Sequence, residues 1–296
     1  MRFGLHTGQH HVSFDELADL WSFAAGAGFD ACYVFDHFQP LHSEVEEFLP
    51  EEATAGDGPC LEGFATLAAL ARAVPSIGVG MMVAGAGYRE PGLLAHMVTT
   101  LAQAAPGRLE IGVGAGWFTP EYAAYGYPFP PARERMESLG RALEAVRAVR
   151  PRPRLWVAGI GEKRLLPFAA RHADSWNAMY LTPEEYGAKV RLLREQANAA
   201  GRDAAGIECS IALRAFCAQD SAHAFGALES VARARGRDPE RLRARSLCGT
   251  PSECAEQLAR YANAGATHLA IMVHPPYDRD SLALLAGDLF PQFRGR

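Results

Sequence analysis

The chain has no apolar run approaching the ~20 residues that a membrane-spanning helix needs, so a helical membrane protein is excluded. It has no excess of basic charge. Its net charge of −5 excludes the clustered basic face of a nucleic-acid binder. No charged segment precedes a long apolar run in Met1-Arg2-Phe3-Gly4-Leu5-His6, so no secretory leader is read there and a cytoplasmic location is expected. It has no CxxC pair. The six cysteines, Cys32, Cys60, Cys209, Cys217, Cys248 and Cys254, are scattered, most of them in apolar runs or helices. They read as buried thiols of a reducing compartment rather than a metal or disulfide framework. The first strand also lacks the glycine fingerprint of an open doubly wound sheet, because it leads into Thr7-Gly8-Gln9-His10-His11. It lacks H-x-H as well, since Gly8 stands at that position. His6, His10, His11, Asp36 and His37 gather at strand ends, yet no metal is expected.

What the sequence does have is a hydrophobic share of 49% over 296 residues, enough to bury an ordinary core. It also alternates strand and helix signals throughout. Short apolar runs at 2–6, 32–35, 77–83, 109–113, 155–158, 175–179, 207–213 and 268–273 read as strands. Capping boxes open helices at Ser13-Phe14-Asp15-Glu16, Thr182-Pro183-Glu184-Glu185 and Thr250-Pro251-Ser252-Glu253. After Ser13, the residues Phe14, Leu17, Trp21 and Ala24 share one helical face. Eight strands, each followed by helix, is the count of a (β/α)8 barrel. We therefore expect one α/β TIM-barrel domain over 1–296, with its site at the carboxyl ends of the strands. An acidic stretch, His42 to Gly58 with Glu44, Glu46, Glu47, Glu51, Glu52 and Asp57, is expected as an exposed loop insertion after strand two.

Several strand ends carry candidate chemistry. Gly112-Val113-Gly114-Ala115-Gly116-Trp117 leaves the backbone bare at the end of strand four, where a flat ring or a phosphate could approach main-chain N–H groups. Gly159-Ile160-Gly161-Glu162-Lys163-Arg164 turns directly into a helix, so free N–H groups and the helix dipole suit an anion. Lys163 and Arg164 add charge there. Asp36-His37 sets an acid beside a base, and neighbours on an extended chain point to opposite sides. One can face the mouth while the other anchors a loop. His37 can exchange a proton near neutral pH. Gly80 inside strand three marks a bulge or unusual peptide against a ligand, or a simple packing contact.

Together these motifs resemble the bacterial luciferase-like family of flavin- and deazaflavin-dependent oxidoreductases, over nearly the whole chain. The resemblance rests on Phe35-Asp36-His37-Phe38, Gly58-Pro59-Cys60-Leu61-Glu62-Gly63, Tyr88-Arg89-Glu90-Pro91 and the run from Gly107 to Trp117. Gly161-Glu162-Lys163-Arg164, Ala173-Asp174-Ser175-Trp176-Asn177 and Gly249-Thr250-Pro251 continue it. It is most similar to the branch using the deazaflavin coenzyme F420. The resemblance implies a luciferase-like (β/α)8 barrel with His37 beside the deazaflavin ring and Asp36 next to it. It implies a non-prolyl cis peptide behind the ring, mapped to Gly80–Met81. It implies cofactor contacts at Asp36, Gly80, Met81, Gly114, Ala115 and Gly116, and a phosphate at Gly159, Ile160, Gly161, Glu162 and Lys163. The chain departs from the family by running almost directly from Val149 into Pro151 and Leu155, where relatives carry an additional segment.

The reading is an oxidoreductase moving a hydride between reduced F420 and a small organic substrate, with His37 and then Glu62 as the catalytic candidates. The alternatives are an FMN-dependent luciferase-like monooxygenase, a non-redox barrel enzyme such as a metal-dependent hydrolase or isomerase, and a non-catalytic family member. The expected partners are a small-molecule substrate and a second copy of the chain in a homodimer, with no nucleic acid and no membrane.

Overall fold

In the computed structural model, residues 1–41 and 56–295 are described. Most of the predicted acidic loop, at 42–55, lies outside them. The strands are β1 (Arg2–Thr7), β2 (Ala31–Val34), β3 (Gly78–Gly85), β4 (Leu109–Gly114), β5 (Arg154–Ala158), β6 (Ser175–Met179), β7 (Glu208–Cys217), β8 (Ser246–Gly249) and β9 (His268–Val273). The helices are α1 (Phe14–Ala27), α2 (Gly63–Ala73), α3 (Pro91–Ala104), α4 (Thr119–Ala124), α5 (Ala132–Arg147), α6 (Leu165–His172) and α7 (Pro183–Ala199), then α8 (Ser221–Ala234), α9 (Pro239–Arg243), α10 (Pro251–Asn263), α11 (Arg279–Leu284) and α12 (Phe290–Phe293). Among the described residues no helix is long and apolar enough to cross a membrane.

The sheet runs β6-β5-β4-β3-β2-β1-β9-β7-β8, and β6 also pairs with β7. That last pairing closes β1 to β7 and β9 into a parallel barrel, the (β/α)8 architecture expected from the sequence. A ninth strand was not expected. β8 is only Ser246-Leu247-Cys248-Gly249, and it pairs with the outer part of β7, at Arg214 to Cys217. β7 spans 10 residues, long enough for its first half to complete the barrel against β9 and its second half to hold β8 outside it.

Local chemistry accounts for the helices. In α1 the Ser13 and Glu16 side chains cap reciprocally, Leu17, Leu20, Trp21 and Ala24 are buried, and Gly28 at φ 98° ends the helix in the left-handed region. Each such buried Leu contributes roughly 1.5–3 kcal/mol. The boxes at Thr182 and Thr250 form in the same way. α6 begins at Leu165 rather than Lys163, because Gly161 to Arg164 form a turn first.

The barrel interior is layered. Register sets Arg2 beside His268, Glu110 beside Arg154, and Ser175 beside Glu208 at the amino end. Arg2 pairs with Glu110 and with Glu208, and Arg154 reaches Glu208 at 3.1 Å. Above this ionic layer, Tyr33 and Trp156 meet edge to face at 5.5 Å, closing the barrel from below. Gly80 belongs to this layer. A Cβ there would stand 2.7 Å from Tyr33 Cδ1, so this glycine makes room for the tyrosine ring. The irregularity of β3 lies further on, with a register shift between Met81 and Ala84. The non-prolyl cis peptide is Met82–Val83, not Gly80–Met81 as expected.

Candidate active site

With its floor filled, the barrel opens at the carboxyl ends of its strands, where a cavity of about 560 Å³ lies. Pockets of a few hundred to a thousand cubic ångströms suit cofactors and small substrates. The wall takes His6 from β1, Asp36 and His37 from the end of β2, Met82, Val83 and Gly85 from β3, and Gly114 to Trp117 from β4. Ala158 to Gly161 follow β5, Asn177 and Met179 belong to β6, and Met272 and His274 close the circle from β9.

The expected site residues divide. Asp36, His37, Gly114, Ala115, Gly116, Gly159, Ile160 and Gly161 line the cavity. Glu62, Gly80, Met81, Glu162 and Lys163 do not. Glu62 caps α2 through Ala65 N–H at 2.6 Å and pairs with Arg89 at 2.9 Å, so it supports the wall from behind. Met81 is buried in the outer core, because adjacent strand residues face opposite sides, and it is Met82 that reaches the cavity. Glu162 and Lys163 are exposed, and Glu162 pairs with Lys189 of α7 at 2.5 Å. The anion-suited turn is therefore confined to Gly159, Ile160 and Gly161.

The glycine run of β4 serves packing as well as access. A Cβ at Gly114 would stand 2.8 Å from Val83 Cγ2, so the methyl-free backbone lets β3 and β4 close up beside the cavity. Gly159 holds φ 129°, a conformation L side chains rarely adopt. Its N–H donates to Asn177 O at 3.0 Å and its carbonyl accepts from Trp176 Nε1 at 2.8 Å, so the turn is fixed at both ends.

Asp36 and His37 are tied to different neighbours. Asp36 is buried and accepts two bonds from the Arg89 fork, at 2.6 and 3.0 Å, with Gly85 N–H adding a third at 2.8 Å. Burial pushes its carboxyl up, and Arg89 and the Gly85 N–H oppose that shift. His37 Nδ1 lies 2.9 Å from Glu121 Oε2. Glu121, on α4, also accepts from Tyr88 Oη at 2.5 Å and Phe38 N–H at 2.6 Å. Opposite, His6 Nε2 contacts the Met82 carbonyl at 3.1 Å, which makes it the donor and leaves Nδ1 as a buried acceptor without a partner. Burial lowers His6 to about 4. Burial, followed by the neighbouring imidazoles His11 and His37, lowers His10 to about 4. Both rings are neutral at pH 7. Among the described residues no group of His, Cys, Asp and Glu is arranged to hold a metal ion.

The sequence gives Tyr88 and Arg89 no role beyond a motif and gives Glu121 no role in the site. A signal for Glu121 is the proline–acid pair Pro120-Glu121, four and five residues after Gly116.

Comparison with known proteins agrees with this architecture. The F420-dependent glucose-6-phosphate dehydrogenase of Microbacterium testaceum is 24% identical over 346 aligned positions, covering 100% of this chain and 98% of that protein. A solved F420-dependent secondary alcohol dehydrogenase, in complex with an F420-acetone adduct, superposes with a TM-score of 0.81 at 18% identity, covering 99% of both chains. The monooxygenase RslO1 from Streptomyces bottropensis superposes at 0.76, again at 18% identity, covering 99% of this chain and 100% of that one. The luciferase-like monooxygenase family model matches residues 1–232. The chain belongs to the luciferase-like monooxygenase family.

Proposed function

We propose that this protein is an oxidoreductase that transfers a hydride between coenzyme F420 and a small organic substrate. The observation that carries this reading is the pairing of two features across one cavity. Bare strand-end backbone at Gly114 to Gly116 and Gly159 to Gly161 stands on one side, and the accessible imidazole of His37 on another. The relatives named for F420 chemistry support the deazaflavin over FMN.

The residues present fit such a group. Ile160 and Gly161 would hold its phosphate through main-chain N–H groups at the turn before α6, with Gly159 shaping that turn. Gly114, Ala115 and Gly116 would meet the flat ring, and Met82 and Val83 would support it. Asp36 acts at one remove, fixing the Arg89 loop and the Gly85 N–H at the rim. When bound, the deazaflavin supplies a carbon that gives or takes the hydride. The protein's own contribution is a largely apolar wall with the His37 imidazole set in it. His37 moves the proton that accompanies hydride transfer.

The test is titration with F420 and with FMN, followed by fluorescence. F420 is expected to bind more tightly. FMN binding at micromolar strength without any binding of F420 would overturn the assignment in favour of the flavin-dependent alternative.

A further inference from the structure

Among the described residues, the His37 ring hydrogen-bonds one polar group, and that group sits behind the cavity wall rather than on it. Glu121 is 0% exposed. Thr119 starts α4, and Pro120 and Glu121 follow in its first turn, which directs the Glu121 carboxylate back toward β2. Its oxygens receive His37 Nδ1 at 2.9 Å, Tyr88 Oη at 2.5 Å and Phe38 N–H at 2.6 Å. An ionised carboxylate only accepts, so each partner is the donor. Burial pushes Glu121 up, but the bonds and charge from His37, then Tyr88 and Phe38, outweigh it and hold the carboxyl below its ordinary range.

This arrangement fixes the imidazole. A carboxylate at Nδ1 calls for a hydrogen there, and a ring with its single hydrogen on Nδ1 presents Nε2 as an acceptor. The ring is further enclosed edge-on by Phe35 at 5.3 Å and Trp117 at 5.8 Å. Among the described residues, the charged and titratable groups around it are Asp36 with its partner Arg89, Tyr88, Glu121, the Cys60 thiol on the His37 carbonyl, and His6 and His10 across the cavity. Glu121 alone among them bonds a ring nitrogen.

We propose that Glu121 is the positioning residue that sets the tautomer and orientation of His37 and so makes His37 a proton acceptor at Nε2. The inference deepens the functional reading above and rests on it for the cofactor and the reaction class, and is written here in the direction of substrate oxidation. With a hydroxyl substrate, the O–H bond breaks and its proton passes to Nε2. The carbinol C–H bond breaks with its electron pair passing to the oxidised deazaflavin, and the carbonyl bond forms. Substrate loses two electrons and cofactor gains them. Glu121 stabilises the resulting imidazolium through Nδ1–H without taking a proton itself.

The experiment is nitrogen NMR of the ligand-free protein with labelled histidine, the His37 signals being assigned by their loss in H37Q. The native ring is expected in the Nδ1–H tautomer. In E121Q that preference is lost, and alcohol-oxidation kcat/KM falls by about 10²–10⁴-fold. F420 affinity stays within a few-fold. A native ring in the Nε2–H tautomer overturns the proposal, whether or not E121Q folds. So does an E121Q protein with an unchanged tautomer and turnover within a few-fold. Failure of the native protein to bind F420 overturns the functional reading and the proton-acceptor role with it, and is recognised separately because the tautomer is read without cofactor.

Discussion

Replacing Arg89 with Met should destabilise the protein in a way that depends on pH. The native guanidinium binds both oxygens of Asp36, reaches Glu62 at 2.9 Å, and lies over the Phe64 ring at 4.4 Å. Met keeps much of the apolar stem and removes the charge. Asp36, at 2% exposure, then retains only the Gly85 N–H. Breaking one side of a buried pair costs about 3–5 kcal/mol, mostly from the uncompensated charge left behind. The exposed Glu62 contact adds little, since surface pairs are worth at most about 1 kcal/mol.

The pH dependence follows from what Asp36 does next. Its carboxyl is already raised by burial, and losing Arg89 raises it further. A carboxyl whose folded pKa lies above its unfolded value binds more protons in the native state between the two. Stability then falls as pH rises through that window and levels off above it. The deficit of R89M against the native protein should therefore be smaller in acid than at neutral pH and above. Urea unfolding at several pH values, with the linear slope checked for constancy, measures this directly. A deficit below about 1 kcal/mol at pH 8, or one that does not change with pH, would show that Asp36 is not held as a buried carboxylate by Arg89.

The turn after β5 gives a second prediction: Gly159→Ala should weaken F420 binding at least tenfold, because the added methyl stands 3.0 Å from Leu165 Cδ1 at φ 129° and the strain is about 1–3 kcal/mol. An unchanged dissociation constant would remove this turn from the cofactor site. A third concerns acid stability. Burial between Tyr33 and Trp156 lowers His268 from 6.5 to about 3, so on acidification the unfolded chain takes up a proton that the native chain refuses, and stability falls from about pH 6.5 downward. His268→Asn should reduce the slope of unfolding free energy against pH by about one proton between pH 6 and 4, and an unchanged slope would show that His268 does not contribute to it.

The parts of this fold that the sequence discloses are those whose causes are local. Ser13 and Glu16 sit three residues apart, and the cap they form needs nothing else. The same holds for Thr182 with Glu185 and Thr250 with Glu253. The barrel strands are visible because each is an apolar run between turn signals. β8 is not, since a four-residue strand pairing only with the outer half of β7 carries no periodicity of its own. Errors within the site are errors of facing. Gly80 looked like a ligand contact because it is a glycine in a strand. Its purpose is the Tyr33 ring, which comes from a neighbouring strand and cannot be seen from residue 80 alone. Met81 and Met82 are indistinguishable in sequence, and only register decides which one faces the cavity. Lys163 looked like a phosphate ligand by adjacency, yet the turn from Gly161 to Arg164 leaves it in solvent.

The pairing that matters most for chemistry was the least legible, because His37 and Glu121 lie 84 residues apart. Their meeting nonetheless follows a rule. The adjacent residues Asp36 and His37 leave β2 toward different neighbours, Asp36 to Arg89 beyond β3 and His37 to Glu121 beyond β4. Tyr88 links the two systems, standing next to Arg89 in sequence and donating to Glu121. The end of one strand is thus cross-braced to the loops of the next two by buried, charge-assisted bonds, each roughly twice as strong as a neutral one. A side chain held in this way loses little freedom when substrate arrives, so the cost of orienting it is met during folding rather than during catalysis. An imidazole kept only for packing would not need an ionised, fully buried partner, which is expensive to maintain. That expense is the physical reason for proposing the proton chemistry at His37 rather than at Glu62, whose half-exposed carboxylate caps a helix, pairs with Arg89 and stands outside the cavity lining.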